Sequence, residues 1–484
     1  MSNRVAFLGS IMLAMVVYWT NLDDYFIGDD FDLILSFHDK PLGYFVSLLW
    51  SNESGSVWKE WGLDRDLGTG YLRPVKIWLL ALDHSLWNVN STGYHVTSTL
   101  LFGCVIYLVF RITRVILPAR PEIAVFASVC VAIHPVFAEI VPFITAREEV
   151  LALSFTLASL LALIAYRERG RSPYWFLLFF VLAILSKESG IIALPLAVCW
   201  DMVFGKLRPM DPASRRDALR LYGPIVCWLV VYFGLRWVAI GNFVGGDGSA
   251  RFGSPRAFLD FHLLFWRSLF LPDLFSAGSV PNAGLVVGIL GIVAIVGALT
   301  SGASSETVRR IFYFGPVWYL CCTLLLYGTY FSHRHHAPLI VGLIVFTALV
   351  IAALSSSASR RVQLAVAMGG ILVSAAAFVP PTRAMAIRFD RASEVVRAIR
   401  IRIEDATRDL PPGSRVRLSR VPQSTSPPYF FGWGLLSALQ RPFTETDLAK
   451  HSVVFNPHNR KLTRSKDVPP ESFDLTLDLG APVP

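Results

Sequence analysis

Charge is scarce in this chain. Asp, Glu, Lys and Arg make up only 16% of its 484 residues, against 54% hydrophobic residues and a mean hydropathy of +0.52. Ordinary soluble domains carry about a quarter of their residues charged, so that class is excluded. Cysteine is also sparse. The six (Cys104, Cys130, Cys199, Cys227, Cys321 and Cys322) all fall inside apolar runs, without metal-ligand spacing or partners in loops. A disulfide scaffold and a structural zinc site are therefore excluded, and the thiols read as small core residues. There is no repeat with a period of about 20–50 residues, which excludes a solenoid. The net charge of +9 is spread over short connections between apolar runs. A nucleic-acid surface needs a basic stripe, so no nucleic acid is expected and membrane topology accounts for the charge.

What the chain has in abundance is apolar length. Taking roughly 20 apolar residues per crossing, runs centred on 5–20, 94–117, 122–140, 149–166, 173–186, 190–205, 219–240, 284–300, 312–331, 337–355 and 361–380 predict an all-α polytopic membrane protein of about eleven spans. The first run lacks a small-residue cleavage site and is read as a retained span. With the N-terminus cytoplasmic, the clusters Arg111/Arg114/Arg120, Arg167/Arg169/Arg171, Lys206/Arg208/Arg215/Arg216/Arg220, Arg309/Arg310 and Arg360/Arg361 all fall on the cytoplasmic side. In the first external connection, 41–50 and 72–87 are too short or too charged to span. They suit helices lying in the interface, with Trp50, Trp78 and Trp87 at headgroup level. A further interfacial helix is expected over 258–271. Residues 172–204 hold two runs where two full crossings need about 40 residues, so the turn Ser186-Lys187-Glu188-Ser189-Gly190 should lie recessed, where ionisable groups are costly and mark a site. After Pro380-Pro381 the composition turns polar. Residues 1–380 are thus read as the membrane domain and 381–484 as a small external α/β domain with a tail, including a helix over 393–408, a turn at Pro411-Pro412-Gly413 and a strand over 415–421.

The external connections collect acids and bases together: Asp29, Asp30, Arg73, His95, Glu139, Arg147, Glu148, Lys187, Glu188, Arg236, Arg267, Arg334 and His335. His134 joins them at a helix end. The mixture suits transfer of a group from a lipid-linked phosphate to a hydroxyl. Phosphate leaves without being protonated, so the reaction needs one general base and cations to hold the departing charge, whereas a glycosidase needs a second carboxyl group as acid. One of Asp29 and Asp30 would be the base. The plain alternatives are a solvated helix cap for the two acids, an internal ion pair for Lys187/Glu188, a helix end for His134-Pro135 and a core position for His95. The histidines His333, His335 and His336 lack the partner pattern of a metal site, so no cofactor is called and a divalent metal has no support in the sequence.

Seven words stand in order in the first 205 residues: Gly28-Asp29-Asp30; Tyr71-Leu72-Arg73-Pro74-Val75; Leu86-Trp87-Asn88 with Gly93-Tyr94-His95; Ile133-His134-Pro135; Ala138-Glu139-Ile140-Val141; Ala146-Arg147-Glu148-Glu149; and Leu185-Ser186-Lys187-Glu188-Ser189-Gly190. On these words the chain resembles the GT-C membrane glycosyltransferases, and most the transmembrane and tetratricopeptide-repeat O-mannosyltransferases, without the repeats. The resemblance implies a polyprenyl-phosphate sugar donor, an external site and inversion at the anomeric carbon. It also implies Asp29 as base with Asp30 in support, and Arg147, Lys187 and Arg334 near the donor phosphate. Arg73, His95, His134, Glu139, Glu148, Glu188 and His335 would support these groups or bind the acceptor. Without the repeats the acceptor is a lipid, a glycan or a protein. The rival reading is a polytopic transporter or flippase for a lipid-linked sugar, which predicts internal repeats and charges continuing to the cytoplasmic side. Compact loops favour a bacterial or archaeal plasma membrane, with the site and the C-terminal domain outside.

Overall fold

The computed structural model describes residues 2–38, 40–51, 71–243, 304–326, 333–411, 413–422, 428–431, 434–445, 453–455 and 473–480. The expected span 284–300, the interfacial helix over 258–271 and Arg267 lie outside the described residues.

Helices account for most of the described chain. They are α1 (Asn3–Tyr18), α2 (Asp30–Phe37), α3 (Leu42–Ser47), α4 (Pro74–Trp87), α5 (Ser91–Ile116), α6 (Pro121–Ile133), α7 (Arg147–Arg169), α8 (Tyr174–Ser186), α9 (Ala193–Val203), α10 (Pro212–Ile240), α11 (Ser305–Phe312), α12 (Trp318–Leu326), α13 (Ala337–Leu354) and α14 (Arg360–Thr407). Their ends follow local chemistry. Asn90 accepts from the Thr92 N–H at the start of α5, and Asp211 accepts from Ala213 ahead of Pro212 at the start of α10. At the end of α7, Gly170 takes the left-handed conformation that closes the last turn.

Among the described residues, seven helical segments are long and apolar enough to cross a membrane: 3–21, 91–116, 121–139, 144–169, 212–240, 333–354 and 360–407. The protein is therefore a helical integral membrane protein. The two runs in 172–204 fold as α8 and α9, of 13 and 11 residues, with a 3₁₀ turn over Glu188–Ile192 between them. Being short, they leave Lys187 buried at 8% exposure. Gly190 makes the tight return possible, since a Cβ there would sit 2.3 Å from the Ala183 carbonyl carbon. Both stretches expected to lie in the interface are helical, as α3 and α4, joined by the Trp78 Nε1–H donating to the Phe45 carbonyl at 2.8 Å, and Trp50, Trp78 and Trp87 are exposed.

Two features depart from the expected layout. Helix α14 does not end at Pro380-Pro381; it runs through both prolines for 48 residues and takes in the helix expected over 393–408. Each proline removes a backbone N–H donor from the helix, and the Thr382 hydroxyl ties this stretch to the Ile133 carbonyl at 2.7 Å. After α14, strand β1 (Arg415–Ser419) forms as expected and pairs in parallel with β2 (Val453–Phe455) on one side and β3 (Leu475–Asp478) on the other. The segment 428–445 also returns to the membrane domain. The Gly28 N–H donates to the Phe430 carbonyl at 2.7 Å, Phe31 stacks on Phe431, and Phe443 packs edge-on against Phe26 and Phe31.

Candidate active site

The turn Phe26-Ile27-Gly28-Asp29-Asp30 leads into α2. Gly28 has φ +55°, a conformation that costs glycine least. This turns the chain so that the two adjacent carboxylates face different surroundings.

Asp30 is buried and fully bonded. Its Oδ1 accepts from the Thr145 N–H at 2.8 Å and the Thr145 hydroxyl at 2.6 Å, and its Oδ2 accepts from the Ile27 N–H at 3.1 Å. Burial outweighs these donors and pushes its pKa up to about 7. Asp32, two residues on, accepts from Ser437 of the returning segment and is likewise pushed up by burial to about 7. Asp29 differs from both. It holds the helix N-cap position yet makes no capping bond, and among the described residues its carboxylate has no hydrogen-bond partner. It is only half-buried. Burial raises its pKa, with Arg334 and Lys76 opposing the rise and Glu148 adding to it. The plain helix-cap reading of Asp29 therefore has no bond to rest on.

Those neighbours of Asp29 belong to one network. Arg73 bridges Glu148 (2.6 Å) and Glu188 (2.7 Å), Lys76 pairs with Glu148 (2.8 Å), and Arg236 pairs with Glu188 (2.9 Å). Lys187 pairs with Glu149 and lies 3.8 Å from Glu148, and His335 Nε2 is 3.5 Å from Glu149. The Arg334 guanidinium lies over the Phe143 ring at 5.7 Å. Arg73, Lys76, Lys187 and Arg236 thus face Glu148, Glu149 and Glu188, and Arg334 faces Asp29. When all are ionised, cations are in excess.

The remaining expected residues lie around this network. Arg147 is buried at 1% exposure, and each of its nitrogens donates inward: Nη1 to Asp83 (2.6 Å), Nη2 to the Tyr94 carbonyl (2.8 Å) and Nε to Ser98 (3.2 Å). It stands in the wall behind Asp30, locking α4 and α5 to the start of α7, rather than on the open side with Asp29. Glu139 meets His333 at 3.2 Å. His134 caps the Pro135–Glu139 turn, its Nδ1 accepting from Val136 at 3.3 Å, with its ring beside Phe378. His95 is buried on α5. The sequence alone assigns no role to Lys76, Asp83, Glu149 or Thr145. Lys76 and Asp83 lie seven residues apart on α4, a spacing that puts both on one helical face, and this was the signal available.

Residues 73–210 match the family described as dolichyl-phosphate-mannose-protein mannosyltransferase. A protein O-mannosyl-transferase of Caenorhabditis elegans is 29% identical over 193 residues, covering 39% of this chain and 25% of that protein. The O-mannosyl-transferase Tmtc1 of Drosophila melanogaster is 28% identical over 202 residues, covering 40% and 22%. Over these stretches the chain is similar to O-mannosyl-transferases. The family match takes in the ordered words from Arg73 onward, and the chain spans about a quarter of the length of these two relatives. Within the matched residues lie Arg73, Lys76, Asp83, Glu139, Arg147, Glu148, Glu149, Lys187 and Glu188; Asp29 and Asp30 precede them and Arg334 follows. Among solved structures, ArnT from Cupriavidus metallidurans bound to undecaprenyl phosphate aligns over 83% of this chain and 72% of its own, with 16% identity and a TM-score of 0.46. The mycobacterial arabinofuranosyltransferase AftD aligns over 94% and 32%, with 16% identity and a TM-score of 0.46.

Proposed function

We propose that this O-mannosyltransferase-like protein is a glycosyltransferase that moves a monosaccharide from a polyprenyl-phosphate donor to a hydroxyl acceptor at the external membrane face, with inversion. The observation that carries the reading is the division of labour between the two acids. Asp30 is bonded on both oxygens, whereas the half-buried Asp29 carboxylate has no hydrogen bond among the described residues and faces Arg334 and Lys76.

In this reading Asp29 accepts the proton of the acceptor hydroxyl as its oxygen bonds to the anomeric carbon. The bond from that carbon to the phosphate oxygen breaks on the opposite side, and its electron pair leaves with the phosphate. The linking phosphate carries one negative charge before the step and a second develops as it leaves, so a site with cations in excess favours the transition state over the bound donor. Arg334 is the lead phosphate ligand, with Lys187, Lys76 and Arg73 behind it. The carboxylates Glu148, Glu149 and Glu188 hold those cations in place, and Arg147 positions the wall from which Asp30 and Thr145 fix the turn. The raised pKa of Asp29 suits a base better than an ordinary carboxylate, because proton affinity nearer the working pH gives a stronger base that is still ionised. The relatives' names make mannose the first donor sugar to try, and lipid, glycan and protein are the acceptor classes.

The test is transfer of labelled sugar from synthetic polyprenyl-phosphate donors into a membrane extract by the purified chain. Asp29→Asn should lower transfer by about 10²–10⁴-fold, the usual contribution of a general base, while donor binding and melting behaviour persist. If folded Asp29→Asn transfers as fast as the wild type, the base assignment is wrong. Donor binding without transfer by the wild type on any acceptor class would favour the transporter reading.

A further inference from the structure

At the end of the helical bundle opposite Asp29, a groove of about 130 Å³ opens between α5 and α7, lined by Tyr107, Leu108, Arg111, Val115, Leu161, Ile164, Ala165 and Arg169. Both helices begin at the candidate active site, with His95 near the start of α5 and Arg147 at the start of α7, and both end here. The groove therefore opens at the other membrane face. Its composition is divided: the aliphatic side chains form an apolar wall, and the two arginines stand at its rim.

Several other cations at this face are paired with carboxylates. Arg167 is held by Asp201 and Asp217, and Arg120 and Arg360 share Glu122. Arg111, by contrast, makes only a neutral contact, donating to the Tyr107 hydroxyl at 2.9 Å with its guanidinium over that ring. Arg169 is exposed and, like Arg111, has no carboxylate partner among the described residues. Glu168, its neighbour in sequence, does not line the groove. Tyr107 is braced from behind by Phe7 of α1, ring centroids 5.3 Å apart, so the platform under Arg111 is fixed. Two cations without a carboxylate partner above an apolar trough at a membrane face match a phosphate headgroup with acyl chains running down the helices.

We propose that this groove binds an anionic phospholipid at the membrane face opposite the candidate active site, its phosphate between Arg111 and Arg169 and one chain along Leu108, Leu161 and Ile164. The site is separate from the Asp29 network and does not depend on the transferase reading.

The full chain, purified in a neutral detergent, should retain phosphatidylglycerol in native mass spectra and be stabilised against heat by it more than by phosphatidylcholine. The double variant Arg111→Gln/Arg169→Gln should bind phosphatidylglycerol about tenfold more weakly, with an unchanged melting midpoint in phosphatidylcholine micelles. Arg169→Gln alone, which removes an exposed side chain, should show part of the same loss and guards against misfolding of the double variant. Equal retention of phosphatidylglycerol by wild type and Arg169→Gln would overturn the proposal. Equal binding of phosphatidylcholine would do the same, as would stabilisation by inorganic phosphate as strong as that by the lipid.

Discussion

Arg147 offers the sharpest test of the site's construction, because its sequence context places it at the donor phosphate and its surroundings place it in the wall. Its side chain is 0% exposed, and that of its partner Asp83 is 3% exposed. Replacing Arg147 with Met keeps much of the volume but removes the charge. Asp83 is then left with the Thr97 hydroxyl at 2.9 Å as its donor, and the Tyr94 carbonyl loses the guanidinium. Breaking one side of a buried ion pair costs about 3–5 kcal/mol, because the other charge stays buried and uncompensated. Arg147→Met should therefore lower the melting midpoint of the detergent-solubilised protein sharply. Asp83→Leu should do so too, and the double variant should lose less than the two singles together, with a coupling of about 1–3 kcal/mol. Thermal melts followed by size exclusion, with donor binding measured on the folded fraction, separate the two roles. If Arg147→Met melts like the wild type but no longer binds donor, Arg147 is a phosphate ligand and the wall assignment is refuted.

Other expectations follow from the same geometry. If Asp29 is the base, it acts ionised, so transfer at limiting donor falls as pH drops through its raised pKa. Arg334 opposes that rise, so Arg334→Gln should move the acid limb of the pH profile further up as well as weaken donor binding; an unmoved limb would separate Arg334 from Asp29. Gly190→Ala would press a Cβ onto the Ala183 backbone at 2.3 Å, where little can yield, and should cost at least about 1–3 kcal/mol on melting while disordering the Lys187 turn. Gly434→Ala would meet the Gly28 carbonyl oxygen at 2.2 Å. It should depress transfer more than it depresses melting, and a variant of wild-type rate would show that the returning segment does not set the Asp29 turn. Thr145→Val removes one of the three donors to Asp30 and should cost about 1–3 kcal/mol, read as a lower melting midpoint at pH 8, where Asp30 is mostly ionised.

Much of the membrane domain was legible because its signals are local. Apolar length gave α1, α5, α6, α7, α10 and α13, and too few residues for two crossings foretold the buried turn at Lys187. The ordered words located Arg73, Glu148, Lys187 and Glu188, which do converge. What sequence could not supply was long-range pairing. Arg147 finds Asp83 across 64 positions, and nothing near either residue announces the other. The break expected at Pro380-Pro381 rested on the change of composition there, and tertiary packing of α14 overrode it.

The return of residues 428–445 to the Gly28 turn has the same origin and the larger consequence. The chain changes composition after α14, which invites the view of a separate appendage. Yet Phe430 takes the Gly28 N–H, Ser437 takes Asp32, and Phe431 and Phe443 close over Phe31. The backbone that aims Asp29 is thus held from both sides, by Thr145 through Asp30 on the membrane side and by the C-terminal segment on the other. If Asp29 is the base, its carboxylate must stay open and cannot fix its own position, so its neighbours must do so. The bonded acids Asp30 and Asp32, which both follow Asp29 in the chain, are placed for that task, and Asp29 is the acid left without a hydrogen bond among the described residues.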